Sequence, residues 1–245
     1  MPYAVTPAFV LGFTPVKEQD KLVHLLTRDK GILKAIAPGA LKSRNRFGSM
    51  LELFTENEFV YYWLEDKELV TLSRGEIIQS YFHLLSRPEN IFYFYLVAEI
   101  LLKFIPFAHP DQRLYRLVDS ILKGRLTGID MDLLLLYFLV WVLKIEGLMF
   151  AVEVCQNCRQ RGLTKAWIRT DYRGVLCPQC HTDEPFMLDA DDLQFLRWSQ
   201  KYAPKDLPLS PGKIDRARLI RIFKKKIEFH GEFSLQCAQY LPQFR

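Results

Sequence analysis

Lys21-Leu-Val-His-Leu-Leu-Thr-Arg28-Asp-Lys-Gly31-Ile-Leu-Lys-Ala-Ile-Ala37 sets two short apolar or alternating runs on either side of a polar four-residue turn. Such runs bounded by turn chemistry are strand signals. In Arg28-Asp29-Lys30-Gly31 the glycine can supply the positive φ that a tight hairpin needs. Strands at Lys21–Thr27 and Gly31–Ala37, joined as a hairpin, are therefore expected.

Similar runs flank this hairpin: Ala8-Phe-Val-Leu11 before it, then Met50-Leu-Glu-Leu-Phe54 with Glu58-Phe-Val-Tyr-Tyr-Trp-Leu64, and Glu68-Leu-Val-Thr-Leu72 after it. Glu65-Asp66-Lys67 reads as a second turn. Five or so strands between residues 3 and 75 leave no room for crossover helices, so a small antiparallel barrel is expected. An OB-fold is the natural candidate.

From Glu76 the period changes. Ile77, Tyr81, Leu84 and Leu85 fall on one helical face, and Ile91 to Ile105 is apolar almost all round. Arg113 to Leu122 repeats the helical pattern, and Asp130 is placed to cap a buried helix that runs to Ile145 and stops at Gly147. Asp189 is placed to cap a helix to about Lys201, a proline-rich link follows (Pro204, Pro208, Pro211), and Lys213 to Phe229 forms a last helix. The expectation is an α+β multidomain chain: an OB-fold barrel at 1–76, a helical bundle in two parts at 77–150 and 187–245, and an inserted module at 151–186.

That module carries Cys155, Cys158, Cys177 and Cys180, two C-x2-C pairs separated by eighteen residues. The spacing predicts a tetrahedral zinc site, each pair forming one knuckle. Ala166 to Leu176 would be a hairpin turning at Asp171–Gly174 and returning the second knuckle to the first. Redox dithiols normally open a helix after a strand, a context absent here. Four thiolates leave no open coordination position, so the zinc would hold the fold and not activate water. His181 could replace one thiolate only by turning back on its neighbour Cys180, and Cys237 reads as a small buried hydrophobe.

The 245 residues, about half apolar with 18 Phe, exclude a disordered chain. No N-terminal basic, apolar, small-residue succession marks a signal peptide, and thiolate ligands fit a reducing compartment, so the cytoplasm is expected. Leu133–Leu143, the longest uncharged apolar run, is well short of the roughly 20 residues that span a bilayer. Charge is uneven: +5 over residues 1–46, −5 over 47–150 and +5 over 151–245. Basic ends around an acidic middle suit a polyanion. Nucleotide-binding glycine loops, H-E-x-x-H and G-x-S-x-G are missing, and the five histidines are scattered, so no enzyme is expected.

Lys42, Arg44 and Arg46 alternate in a loop that leaves a strand, next to Phe47 and two glycines. Cations there suit phosphate contacts and the ring can stack on an unpaired base, giving a single-strand groove to which Arg28, Lys30 and Lys34 would add charge. A solvated basic loop fits the same composition. Arg218, Arg221 and Lys225 form a stripe on the last helix opposite Ile220, Phe223 and Ile227, a second phosphate candidate, although such stripes are more commonly solvated faces. Arg113, Arg116 and Lys123 on the third helix could rim an apolar groove suited to a short acidic, hydrophobic peptide tail.

Phe9-Val-Leu11, Glu18-x-Asp20-Lys21-Leu-Val, Leu25-Leu-Thr-Arg28, Lys30-Gly31, Lys34-x-Ile-Ala-x-Gly39-Ala40, Ser43-x-x-Arg46-Phe47-Gly48, Gly147 and both cysteine pairs together resemble the bacterial RecO family over nearly the whole chain. Two departures stand out. Arg159 occupies the position of a usual glycine after the first knuckle, and the family's C-terminal serine-arginine segment survives only as Phe233-Ser234-Leu235.

The resemblance implies a non-enzymatic mediator of recombinational DNA repair in the RecFOR route. Such a protein binds single- and double-stranded DNA, anneals complementary strands, and engages the acidic C-terminal tail of the single-strand-binding protein. With RecR it assists loading of RecA. A monomer associated with the nucleoid during repair is expected. A different class also fits the barrel and module: a zinc-containing OB-fold scaffold that binds polypeptide and has no functional DNA binding.

Overall fold

The computed structural model describes residues 3–42, 46–63, 69–206 and 214–244. The chain divides into two compact units, Met1–Asp119 with Leu235–Leu241, and Ser120–Ser234 with Pro242–Arg245.

Five strands open the first unit: β1 (Tyr3–Val16), β2 (Asp20–Thr27), β3 (Gly31–Ala37), β4 (Glu56–Tyr62) and β5 (Leu69–Gln79). They close into a barrel in the order 1-2-3-5-4, with β4 returning to β1. All neighbours are antiparallel except β3 and β5. This is the OB-like topology expected. The hairpin forms in register, Thr27 opposite Gly31, and Gly31 takes φ +69°. β1 serves two partners: Tyr3–Phe9 pairs with β4, and Ala8–Val16 with β2 across a bulge at Gly12, whose φ of +143° excludes a side chain. Inward-facing Ala8, Val10, Val23, Leu25, Leu33, Ala35, Phe59, Tyr61 and Leu72 fill the interior.

Two local expectations are corrected. Met50–Phe54 is no strand: Gly48–Leu51 forms a 3-10 turn, closed where Asn57 Nδ2 donates to the Met50 carbonyl at 2.9 Å and the Phe54 N–H donates to Val10 at 2.7 Å. The switch to helix comes later than Glu76, because β5 continues to Gln79 with Ile77 opposite Asn57 and Glu76 opposite Glu58. Backbone pairing with β4 overrides the helical spacing of Ile77. The second turn, Glu65–Lys67, lies outside the described residues.

Helix α1 (Phe82–Leu85) is short, and α2 (Pro88–Phe104) starts on a proline, whose missing N–H is unneeded there. The Glu99 carboxylate of α2 accepts from the Gln236 and Cys237 N–H groups, both at 2.8 Å, and anchors the 3-10 turn Cys237–Tyr240. Cys237 is thus half-buried and not the buried hydrophobe expected. Helix α3 (Gln112–Leu126) follows.

In the second unit α4 (Met131–Ile145) is buried nearly all round, capped by the Asp130 side chain on the Leu133 N–H at 3.1 Å. Gly147, at φ +71°, follows its end. Asp189 and Asp192 form a capping box on α5 (Ala190–Ser199), and Asp215 caps α6 (Arg216–Gly231), which packs against α4. Between α4 and α5 lies a small sheet of β6 (Ala166–Ile168), β7 (Val175–Leu176) and β8 (Phe186–Leu188). Lys213, Pro208 and Pro211 lie outside the described residues. Among the described residues no helix is long and apolar enough to cross a membrane.

Candidate metal centre and nucleic-acid interface

β6 and β7 form the hairpin expected between the two C-x2-C pairs, Trp167 opposite Leu176 and Ile168 opposite Val175. The Arg169 N–H donates to the Gly174 carbonyl at 3.0 Å, closing the turn. This fold brings the Sγ atoms of Cys155, Cys158, Cys177 and Cys180 within 4.8 Å of one another, the set that can hold a metal ion. A tetrahedron with 2.3 Å metal–sulfur bonds has edges of about 3.8 Å; Cys158 and Cys177 already stand 3.6 Å apart.

The electrostatics fit a cation. Burial alone would raise the Cys155 thiol, but the backbone N–H groups of Cys158, Cys177 and Asn157 outweigh it and bring the pKa down to about 6. The Cys177 N–H lies 3.3 Å from that sulfur. The bond with Cys158 pushes Cys180 up to about 12, since crowded thiols cannot all ionise together. A divalent ion removes that repulsion. His181 takes no part: its Nδ1 lies 2.7 Å from Glu184 Oε2 and its ring stacks on Trp167 at 4.2 Å.

The barrel presents its cations beside aromatic rings. Arg28 is exposed, 3.8 Å from Asp29, and Lys30 lies 5.6 Å from the Trp63 ring centre. Lys34 is half-buried over Phe107 at 4.3 Å, which together with His24 at 6.0 Å from the same ring occupies that part of the outer wall. Lys42 and Arg46 are exposed, and Arg44 lies outside the described residues. Phe47 is a correction. It is 1% exposed in the barrel core, because the 3-10 turn after it folds the chain inward, and it cannot stack on a base.

A second ring pair stands on the outer wall of the barrel. Tyr3 on β1 stands opposite Tyr62 on β4, with ring centres 4.3 Å apart and the Tyr3 hydroxyl donating to that of Tyr62 at 2.7 Å. That bond raises the Tyr3 pKa and, with Ser73 and the Arg46 charge, lowers that of Tyr62; Arg74 acts on Tyr3. Two exposed arginines are thus within electrostatic range of the rings, Arg74 lying opposite Val60 on the neighbouring strand; Tyr3 is 61% exposed and Tyr62 half-buried. Burial alternates along Glu56–Tyr62 and places Tyr62 on the outer face, while its pairing with Tyr3 depends on barrel closure. Lys21 over Phe13 at 3.6 Å repeats the motif on β2 and β1.

On α6 the expected stripe divides. Arg221 and Lys225 are exposed. Arg218 is a second correction, because its guanidinium is bound to the buried Asp192 carboxylate and the Met187 carbonyl and is not presented to solvent as a free phosphate contact. Arg113, Arg116 and Lys123 are exposed on α3, within one arc of that helix, and Arg113 holds Asp111 at 2.6 Å.

Residues 1–81 match the family described as Recombination protein O N terminal, and residues 85–214 match Recombination protein O C terminal. The chain is similar to the DNA repair protein RecO of Clostridium novyi (strain NT), 30% identical over 184 residues, or 75% of this chain and 71% of that protein. Similarity extends to the DNA repair protein RecO of Dehalococcoides mccartyi, 25% identical over 205 residues covering 83% and 79%. The protein of the same name from Listeria monocytogenes serotype 4b (strain CLIP80459) is 29% identical over 184 residues covering 73% and 69%. A closed five-strand barrel, a helical remainder with a four-cysteine cluster, and matches to both halves of one family together establish that this chain belongs to the recombination protein O (RecO) family of DNA repair proteins.

Proposed function

We propose that the protein is a non-enzymatic mediator of recombinational repair that binds single- and double-stranded DNA through its barrel, anneals complementary strands, and with RecR assists RecA loading on strands coated by single-strand-binding protein. One observation carries this reading: the Tyr3–Tyr62 ring pair on the outer wall of a closed barrel, with the exposed Arg46 and Arg74 within electrostatic range of it. Rings beside cations are how a sheet surface holds a strand without reading its sequence, the rings stacking on bases and the arginines neutralising phosphates. Arg28, Lys30, Lys42, Arg44 and Arg46 add phosphate contacts. Lys34, covered by Phe107, contributes mainly field.

The four thiolates hold zinc, which fixes the module and leaves no open position for catalysis. Arg113, Arg116 and Lys123 contact the acidic tail of the single-strand-binding protein. The protein works as a cytoplasmic monomer that joins the nucleoid during repair. Titration of labelled single-stranded DNA at several salt concentrations tests the reading: log affinity should fall linearly with log salt, and Arg44→Ala with Arg46→Ala should flatten the slope. Salt-independent weak binding, with annealing no faster than in protein-free controls, would favour a polypeptide-binding scaffold.

A further inference from the structure

Arg221, Lys224 and Lys225 of α6 line a pocket of about 160 Å³ together with Gln243 and Phe244, which belong to the 3-10 turn Pro242–Phe244. Their i, i+3, i+4 spacing sets the three cations on one helix face. Lys224 lies 5.3 Å from the Phe244 ring centre and is ion-paired to Glu228 at 2.7 Å. Arg221 and Lys225 are exposed, and among the described residues neither has a carboxylate partner. Gln243 is 8% exposed, and its Nε2 has no hydrogen-bond partner among the described residues. A buried amide donor in that state calls for an acceptor.

Among the described residues, three cations less one carboxylate leave a charge of two at the pocket. A phosphomonoester carries nearly two negative charges and three strong acceptor oxygens. The donors match in number: the Arg221 fork, the Lys225 ammonium and the Gln243 amide. A carboxylate or a mid-strand phosphodiester brings one charge and two free oxygens, and so leaves one cation and one donor unanswered. The volume lies below the roughly 300–1,000 Å³ of sites that enclose a whole small molecule. The pocket therefore suits a group at the end of a longer molecule, with Phe244 beside it as a stacking surface.

We propose that this pocket binds the terminal phosphomonoester of a nucleic-acid strand. The proposal rests on the protein being a nucleic-acid binder, and the test separates the two. The full chain is titrated with one short single-stranded oligonucleotide, 3′-labelled, bearing either a 5′-phosphate or a 5′-hydroxyl, and inorganic phosphate is added as competitor. The phosphorylated strand should bind about tenfold more tightly. Gln243→Leu should remove most of that preference while leaving affinity for the hydroxyl-ended strand nearly intact, Arg221→Gln should also remove most of the preference, and inorganic phosphate should erode the preference alone. Gln243→Leu should not lower the thermal midpoint, because it deletes an unpaired donor. Equal affinity for both strands overturns the terminal-phosphate site while leaving DNA binding standing. Binding of inorganic phosphate without any end preference overturns it in favour of a free-phosphate site. Failure to bind either strand overturns the DNA-binding reading itself.

Discussion

Arg218 closes on Asp192: the guanidinium donates to a carboxylate that is wholly buried, and its second arm donates to the Met187 carbonyl. Asp192 also completes the capping box of α5, its carboxylate accepting the Asp189 N–H at 3.1 Å. Burial pushes this carboxyl up, and the Arg218 guanidinium and the Asp189 N–H oppose that rise only in part. One ion pair thus ties α6 to β8 and to the start of α5.

Arg218→Ala strands a buried carboxylate and should lower unfolding stability by about 3 kcal/mol or more. Arg221→Ala, one turn along but exposed, should change it by less than about 0.5 kcal/mol. Urea unfolding of both variants checks this. Full stability in Arg218→Ala, accompanied by lost DNA affinity, would return Arg218 to the contact set.

The difference between these two arginines shows where the sequence stops being informative. Periodicity places Arg218 and Arg221 on one stripe correctly, but what Arg218 meets lies twenty-six residues away and depends on how β8 packs. Local signals are legible throughout: Arg28–Gly31 marks the hairpin, Asp130 and Asp189 mark caps, and the cysteine spacing marks the cluster. Tertiary choices are not. Ile77 suits a helix until β4 offers it a ladder, Phe47 looks like a loop aromatic until the following turn drives it inward, and Tyr3 gains meaning only opposite Tyr62.

Lys226 gives a pH signature. It is buried on α6, with Nζ donating to the Tyr172 carbonyl at 2.5 Å, His230 Nε2 at 3.2 Å and the Phe150 ring at 5.1 Å. Burial brings its pKa down from the ordinary 10.5 to about 8, the Asp171 charge opposing only in part. Below about pH 8 both folded and unfolded chains hold this proton, and the folded state carries the full penalty, about 3 kcal/mol. As pH rises from 8 toward 10.5 the folded chain releases the proton first, so stability contributed by this residue increases. Between pH 8 and 9.5 the wild type should gain about 2 kcal/mol relative to Lys226→Met in paired denaturant titrations. Parallel curves for the two proteins would show that the ammonium is not penalised.

Zinc should be bound at one ion per chain and released by mercurial titration of the thiols. Cys155→Ser or Cys177→Ser, at the two buried ligands, should abolish stoichiometric zinc and destabilise the module. A loss of about 3 kcal/mol corresponds to a fall of roughly 6–12 °C in the midpoint for a chain of this size. Atomic absorption with thermal melts reads both quantities. A metal-free protein with an unchanged melt would mean that the hairpin alone holds the four sulfurs together.

Tyr62 and Arg46 separate stacking from charge on the barrel wall. Stacking of a base on an aromatic ring is worth about 1–3 kcal/mol and depends little on salt, whereas a phosphate contact on a single strand contributes about 0.7 to the log–log salt slope. Tyr62→Ala should therefore weaken single-strand binding about five- to hundredfold at every salt concentration, leaving the slope in place. Arg46→Ala should flatten the slope by about 0.7 and matter least at high salt, and Arg74→Ala should behave likewise. Because Tyr3 and Tyr62 share one hydroxyl bond and one ring contact, Tyr3→Ala combined with Tyr62→Ala should cost less than the two single losses added together. Strict additivity in fluorescence titrations would mean that each ring meets its own base and that the pair is not one platform.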